Sequence, residues 1–202
     1  HHRHGTRQPR NEGRRGPQGA LSFQPPRPER IEIAGPAGVL EALLEQPDTG
    51  TVAAPTSFGV ICHPHPLFGG TMTNKVVHML ARSCHERGVP TLRFNFRGVG
   101  GSAGVHDEGR GEVDDALAVV ARGRELWPGA ALWLAGFSFG AWVALRAAAP
   151  AAAARLVTVA PPVGRWDFSG IPTPSCPWLV VQGDRDELVD AAKVEAWARE
   201  QQ

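Results

Sequence analysis

From residue 31 onward, short apolar runs alternate with longer stretches in which apolar residues recur every three to four positions. Residues 31–33 and 39–44 flank a Gly-Pro-Ala-Gly turn, the pattern of an opening β-hairpin. FGVIC at 58–62 reads as a buried strand. Over 75–87, Val76, Val77, Met79 and Leu80 mark a helix, ended by Gly88. Residues 89–96 read as the next strand. Residues 107–126 read as a helix with Glu108, Glu112, Asp114 and Asp115 in its first turns, where the helix dipole favours negative charge. ALWLAGF at 131–137 is a strand, and FGAWVALRAAA at 139–149 a helix stopped by Pro150. Residues 156–160 and 178–182 are strands, and 190–202 a helix.

After the hairpin the order is β-α-β-α-β-α-β-loop-β-α. Apolar strands alternating with helices predict an α/β fold, with a mostly parallel sheet and helices on both faces. In such sheets, sites lie at the carboxyl ends of the strands. The loops after Cys62, Phe96, Phe137, Ala160 and Gln182 therefore have the strongest claim to function.

One of those loops carries a recognisable pattern. Gly136-Phe137-Ser138-Phe139-Gly140 is G-x-S-x-G, placed where a strand pattern ends and a helix pattern begins. An abrupt strand-to-helix turn forces its central residue into a strained conformation. Glycine on both sides makes room, and the helix N-terminus points its free N–H groups at the serine oxygen. Ser138 is the candidate nucleophile, and the competing role is a helix-capping serine.

Composition narrows the partners. Residues 1–30 hold seven arginines and two glutamates, so the remainder carries 14 basic and 18 acidic residues, a net charge of −4. A mildly acidic body without a basic stripe argues against nucleic acid as a partner. The basic first 30 residues read as a disordered tail or a non-native extension, and 31–202 as one domain. No apolar run reaches the roughly 18 residues of a membrane span, so no membrane partner is expected. Three cysteines without C-x-x-C spacing fit small core residues in a reducing cytoplasm. Gly98–Gly104 follows a strand, but its glycines are not spaced as G-x-G-x-x-G, which argues against a phosphate loop.

Four segments together resemble the α/β-hydrolase superfamily. They are the elbow around Ser138, His63-Pro64-His65-Pro66-Leu67-Phe68-Gly69-Gly70-Thr71, Phe94-Asn95-Phe96-Arg97-Gly98-Val99-Gly100-Gly101-Ser102, and Gln182-Gly183-Asp184-Arg185-Asp186-Glu187-Leu188-Val189. The HPHPLFGGT and RFNFRGVG stretches are similar to small lidless bacterial serine hydrolases. Asn95 stands where the family usually has Asp.

The resemblance implies a serine hydrolase of carboxylic esters that works through an acyl-enzyme on Ser138. Peptidase, thioesterase and acyltransferase chemistry on the same fold, and a non-catalytic binding protein, are the alternatives. The expected partner is a small-molecule acyl substrate, and this chemistry needs no cofactor and no metal. The oxyanion would be held by the backbone N–H of Phe139 and by that of His65, with Leu67 as the alternative second donor. Asp186 is the expected catalytic acid, with Asp184 its competitor. The catalytic histidine should follow the acid, after one more helix and strand. His63 and His65 precede the elbow and are the out-of-order alternatives. His78, His85 and His106 are expected to be surface or packing residues. The chain ends at Gln202, so the last strand and the histidine are expected beyond it. The 202-residue piece is expected to be inactive and poorly stable by itself. The interval 161–177 has no helix-length pattern, hence no cap domain. Its Trp166 and Phe168 either wall the acyl site or pack on the sheet.

Overall fold

The computed structural model of the chain describes residues 22–184 and 191–201. Asp186, the expected acid, and residues 1–21 lie outside them. Among the described residues seven strands form one sheet in the order β1-β2-β4-β3-β5-β6-β7. The strands are β1 (Glu29–Gly35), β2 (Gly38–Glu45), β3 (Ser57–Cys62), β4 (Thr91–Phe94), β5 (Ala131–Phe137), β6 (Arg155–Val159) and β7 (Trp178–Val181). β1, β2 and β4 pair antiparallel, and β4, β3, β5, β6 and β7 run parallel. The hairpin closes at Gly35 opposite Gly38, whose φ of 118° is open to glycine and little else. The first strand takes in Glu29 and Arg30, two residues ahead of the expected domain boundary. Arg30 pairs with Glu41 across the hairpin at 2.8 Å.

The helices are α1 (Lys75–His85), α2 (Arg110–Leu126), α3 (Phe139–Ala148) and α4 (Ala191–Glu200). Asn74 caps α1 by accepting from the N–H groups of Val76 and Val77. Helix α2 starts three residues later than the sequence pattern predicts. Glu108 and Gly109 have φ of 55° and 87°, which no helix accommodates. The buried Glu112 carboxylate turns back instead and accepts from the Asp107 and Gly109 N–H groups at 3.0 Å.

Alternation along the strands divides the core in two. Phe58, Val60 and Cys62 of β3, Leu92 and Phe94 of β4, and Leu132 and Leu134 of β5 face α2 and α3 in the larger cluster. Ile61 and Ala135 face Val77 and Ala81 of α1 in the smaller one. The α1 side also holds a buried ion pair, Arg93–Glu45 at 2.7 Å, and a His85–Thr91 hydrogen bond at 2.8 Å. Beyond α1, toward β6 and β7, lies an apolar groove of about 590 Å³. Ile61, Leu80, Trp133, Val157, Leu179 and Val181 line it.

Candidate active site

β5 passes into α3 through the single residue Ser138, at φ 55° and ψ −118°. A residue with a Cβ pays about 1–3 kcal/mol for such a backbone. The surroundings impose it. A Cβ on Gly136 would lie 2.0 Å from the Gly140 carbonyl oxygen. One on Gly140 would lie 2.2 Å from the Cys62 oxygen and 2.5 Å from that of His63. The two glycines thus let strand and helix cross, and let the helix start press on the end of β3. The Ser138 N–H donates to the Val159 carbonyl at 2.9 Å. Its carbonyl accepts from Ala141 and Trp142. Its hydroxyl makes no capping hydrogen bond, so the capping role does not hold.

The loop after β3 is braced by His63, which is fully buried. Its Nδ1 lies 2.7 Å from the Pro64 carbonyl oxygen, and its Nε2 accepts the Phe96 N–H at 3.0 Å. That pair of bonds selects the neutral tautomer with the proton on Nδ1. Burial pushes the pKa down to about 4, against a smaller upward pull from the Pro64 carbonyl. With both nitrogens committed, His63 is a structural brace and has no nitrogen free to act as a base.

His65 opens a single 3-10 turn, Pro66–Phe68. Its Nδ1 accepts the Leu67 N–H at 3.1 Å, which removes Leu67 as a free donor. Its carbonyl holds the Phe68 and Gly70 N–H groups. A Cβ on Gly70 would sit 2.0 Å from the Pro64 oxygen, so the loop closes tightly on itself. The main-chain N–H groups of His65 and Phe139 have no acceptor among the described residues. That of Phe139 belongs to the first helical turn, where no intrahelical partner exists. Burial lowers the His65 pKa, and the neighbouring His106 lowers it further.

The loop after β4 is organised by carboxylates rather than exposed as a site. Asn95 is buried and donates to Glu41 at 2.7 Å, while its side-chain oxygen accepts the Met72 N–H at 2.8 Å. Here the amide can both donate and accept, which an ionised Asp cannot. Arg97 grips the fully buried Asp115 through Nε and Nη2, the latter at 2.8 Å, and donates to the Gly111 carbonyl.

Trp166 and Phe168 part company. Trp166 lies 5.4 Å from His65, 5.4 Å from Phe139 and 4.8 Å from Trp142, ring to ring. Phe168 turns instead to Trp197 of α4, at 5.1 Å. Two residues join the site without a signal in the sequence. His106 sits 5.2 Å from the His65 ring, with Nδ1 3.6 Å from the buried Glu112. Phe68 packs against His65 at 4.7 Å with the rings tilted 54°. Neither follows a periodic pattern, since both are delivered by loops.

The ends of β5, β6 and β7 are laced together. Beside the Ser138–Val159 bond, the Ala160 N–H donates to Val181 at 2.7 Å. The loop that follows β7, with Asp184 in an exposed turn, therefore begins two strand spacings, about 10 Å, from the elbow. No histidine ring bonds to the Ser138 hydroxyl among the described residues. No cluster of three His, Cys, Asp or Glu suited to a metal ion is assembled among them either. No helix among them is long and apolar enough to cross a membrane.

The model of the alpha/beta hydrolase family matches residues 60–201. The chain belongs to this family. A serine hydrolase without a lid from Xanthomonas campestris is 46% identical, with a TM-score of 0.81 over 89% of this chain and 82% of that one. An alpha-beta serine hydrolase homologue from Coxiella burnetii is 45% identical, with a TM-score of 0.81 over 86% and 82%. An uncharacterized protein of Rickettsia prowazekii is 37% identical over 174 residues, 82% of this chain and 70% of its own length. The hydrolase fold and its seven strands match the architecture expected from the sequence.

Proposed function

We propose that this hydrolase cleaves carboxylic esters through an acyl-enzyme on Ser138. The observation that carries the reading is the backbone of Ser138. It is strained, locked by glycines on both sides, and leaves the hydroxyl free of a capping bond among the described residues. Strain of this kind persists where the surroundings over-determine it, and it gathers at reactive residues.

In the proposed reaction the Ser138 oxygen attacks the acyl carbonyl as a base takes its proton. The tetrahedral oxyanion accepts from the Phe139 and His65 amides, both without another acceptor among the described residues. Collapse breaks the ester bond, and the leaving alkoxide takes up the proton. Water then attacks the acyl-enzyme by the same route and frees Ser138. The base is a histidine oriented by a carboxylate from the loop after β7, Asp186 in this reading with Asp184 as the alternative. About 10 Å separates that loop from the elbow, the span an imidazole between them bridges. The interval between β6 and β7 contains no helix, which leaves the serine open to short or flexible acyl esters.

Intact-mass measurement after treatment with a fluorophosphonate probe tests this. One adduct, lost in Ser138→Ala, is the expected result. A folded protein that carries the base histidine and takes no adduct would overturn the assignment.

A further inference from the structure

Phe68 is 83% exposed, although it is among the most apolar side chains in the chain. It is not a loose loop tip. Its N–H is held by the His65 carbonyl at 3.1 Å, the next residue is Gly69 in a left-handed conformation, and Gly70 is wedged against Pro64. Its ring packs against the His65 ring at 4.7 Å, tilted 54° to it. His65 in turn contacts Phe139, the residue after Ser138, at 5.0 Å, and Trp166. A fixed row of π-systems thus runs from the elbow outward and ends in a bare aromatic ring. Aliphatic residues would bury an acyl chain equally well in water. Rings held 4.7–5.4 Å apart discriminate further, because their quadrupoles favour a flat π-bearing guest placed offset or edge-on.

We propose that Phe68, His65 and Trp166, whose rings are tilted 42–54° to their neighbours, form an aromatic wall that selects esters of aryl or arylalkyl acids over saturated-ring acids of the same size. The proposal rests on Ser138 being the nucleophile. The wall adds ring recognition to it, while Phe68 itself stays a positioning residue for the acyl group.

Ethyl phenylacetate and ethyl cyclohexylacetate form the matched test pair. With the base histidine present, the otherwise unaltered protein should favour the phenyl ester in kcat/KM by about three- to tenfold, the worth of an aromatic contact beyond its buried area. In Phe68→Leu, which keeps an apolar side chain and sits on the surface, that ratio should fall to within twofold. Equal rates in the unaltered protein, or an undiminished ratio in Phe68→Leu, would overturn the wall. A second measurement does not depend on turnover. Ligand-detected NMR on Ser138→Ala should show phenylacetate binding more tightly than cyclohexylacetate, with the difference lost on adding Phe68→Leu. Ring-selective binding in a protein that carries the base histidine yet takes no fluorophosphonate keeps the wall and refutes the nucleophile. Labelled Ser138 without ring selectivity refutes the wall alone.

Discussion

Ser138 and its two glycines trade stability for geometry. Ser138→Gly should raise stability by about 1 kcal/mol relative to Ser138→Ala, since glycine relieves the positive φ. Gly140→Ala should lose about 3 kcal/mol, because its new methyl meets the Cys62 and His63 carbonyls. Urea unfolding of the three variants checks both signs. His63 gives a pH-dependent counterpart. Above pH 6.5 it is neutral folded or unfolded, and its bonds count in full. As pH falls from 6.5 toward 4 the unfolded chain binds a proton that the folded protein refuses. Stability should drop by roughly 3 kcal/mol over that window. His63→Gln should be less stable at pH 7.5 but show a flatter profile between pH 6.5 and 4, read by denaturant titration at each pH.

Between elements, the loop after β4 depends on two carboxylates of α2. Glu112 stands in for the missing first turn of the helix, and Asp115 holds Arg97. Arg97→Ala leaves a fully buried carboxylate without its cation and should lose about 3–5 kcal/mol. Arg97→Lys should recover only part of this, because an ammonium cannot reproduce the two-pronged grip. Calorimetric melting of the pair of variants measures the difference. The same loop carries Gly109, whose missing Cβ admits the Trp142 ring, and Arg146 lies over that ring at 4.6 Å. The aromatic wall of the site is therefore anchored from α2 as well as from α3.

For the whole molecule, the two sheet faces are unequal. The α2–α3 side is a continuous apolar core. The α1 side ends in the groove, with Leu179 58% and Val181 42% exposed on the outermost described strand. A bare apolar strand of this kind invites association. Leu179→Lys with Val181→Glu should reduce concentration-dependent self-association, measured by light scattering across a dilution series. An unchanged profile would mean that this face takes no part in association.

Much of this protein was legible from its sequence, because local rules decided it. Short apolar runs and period-3.6 patterns located every described strand and α-helix to within a few residues, and β5 to the residue. The G-x-S-x-G pentapeptide fell at the strand-to-helix junction, where Gly136 is required by the turn itself and Gly140 by the carbonyls at the end of β3. Tertiary structure decided the rest. It turned His63 from a possible base into a neutral brace, since its two partners, Pro64 and Phe96, come from different strands' loops. It delayed α2 through a buried carboxylate, and it sent Trp166 to the site but Phe168 to α4. It set His106 beside His65. Each of these outcomes depends on what a side chain meets across space, and a one-dimensional pattern holds no record of that.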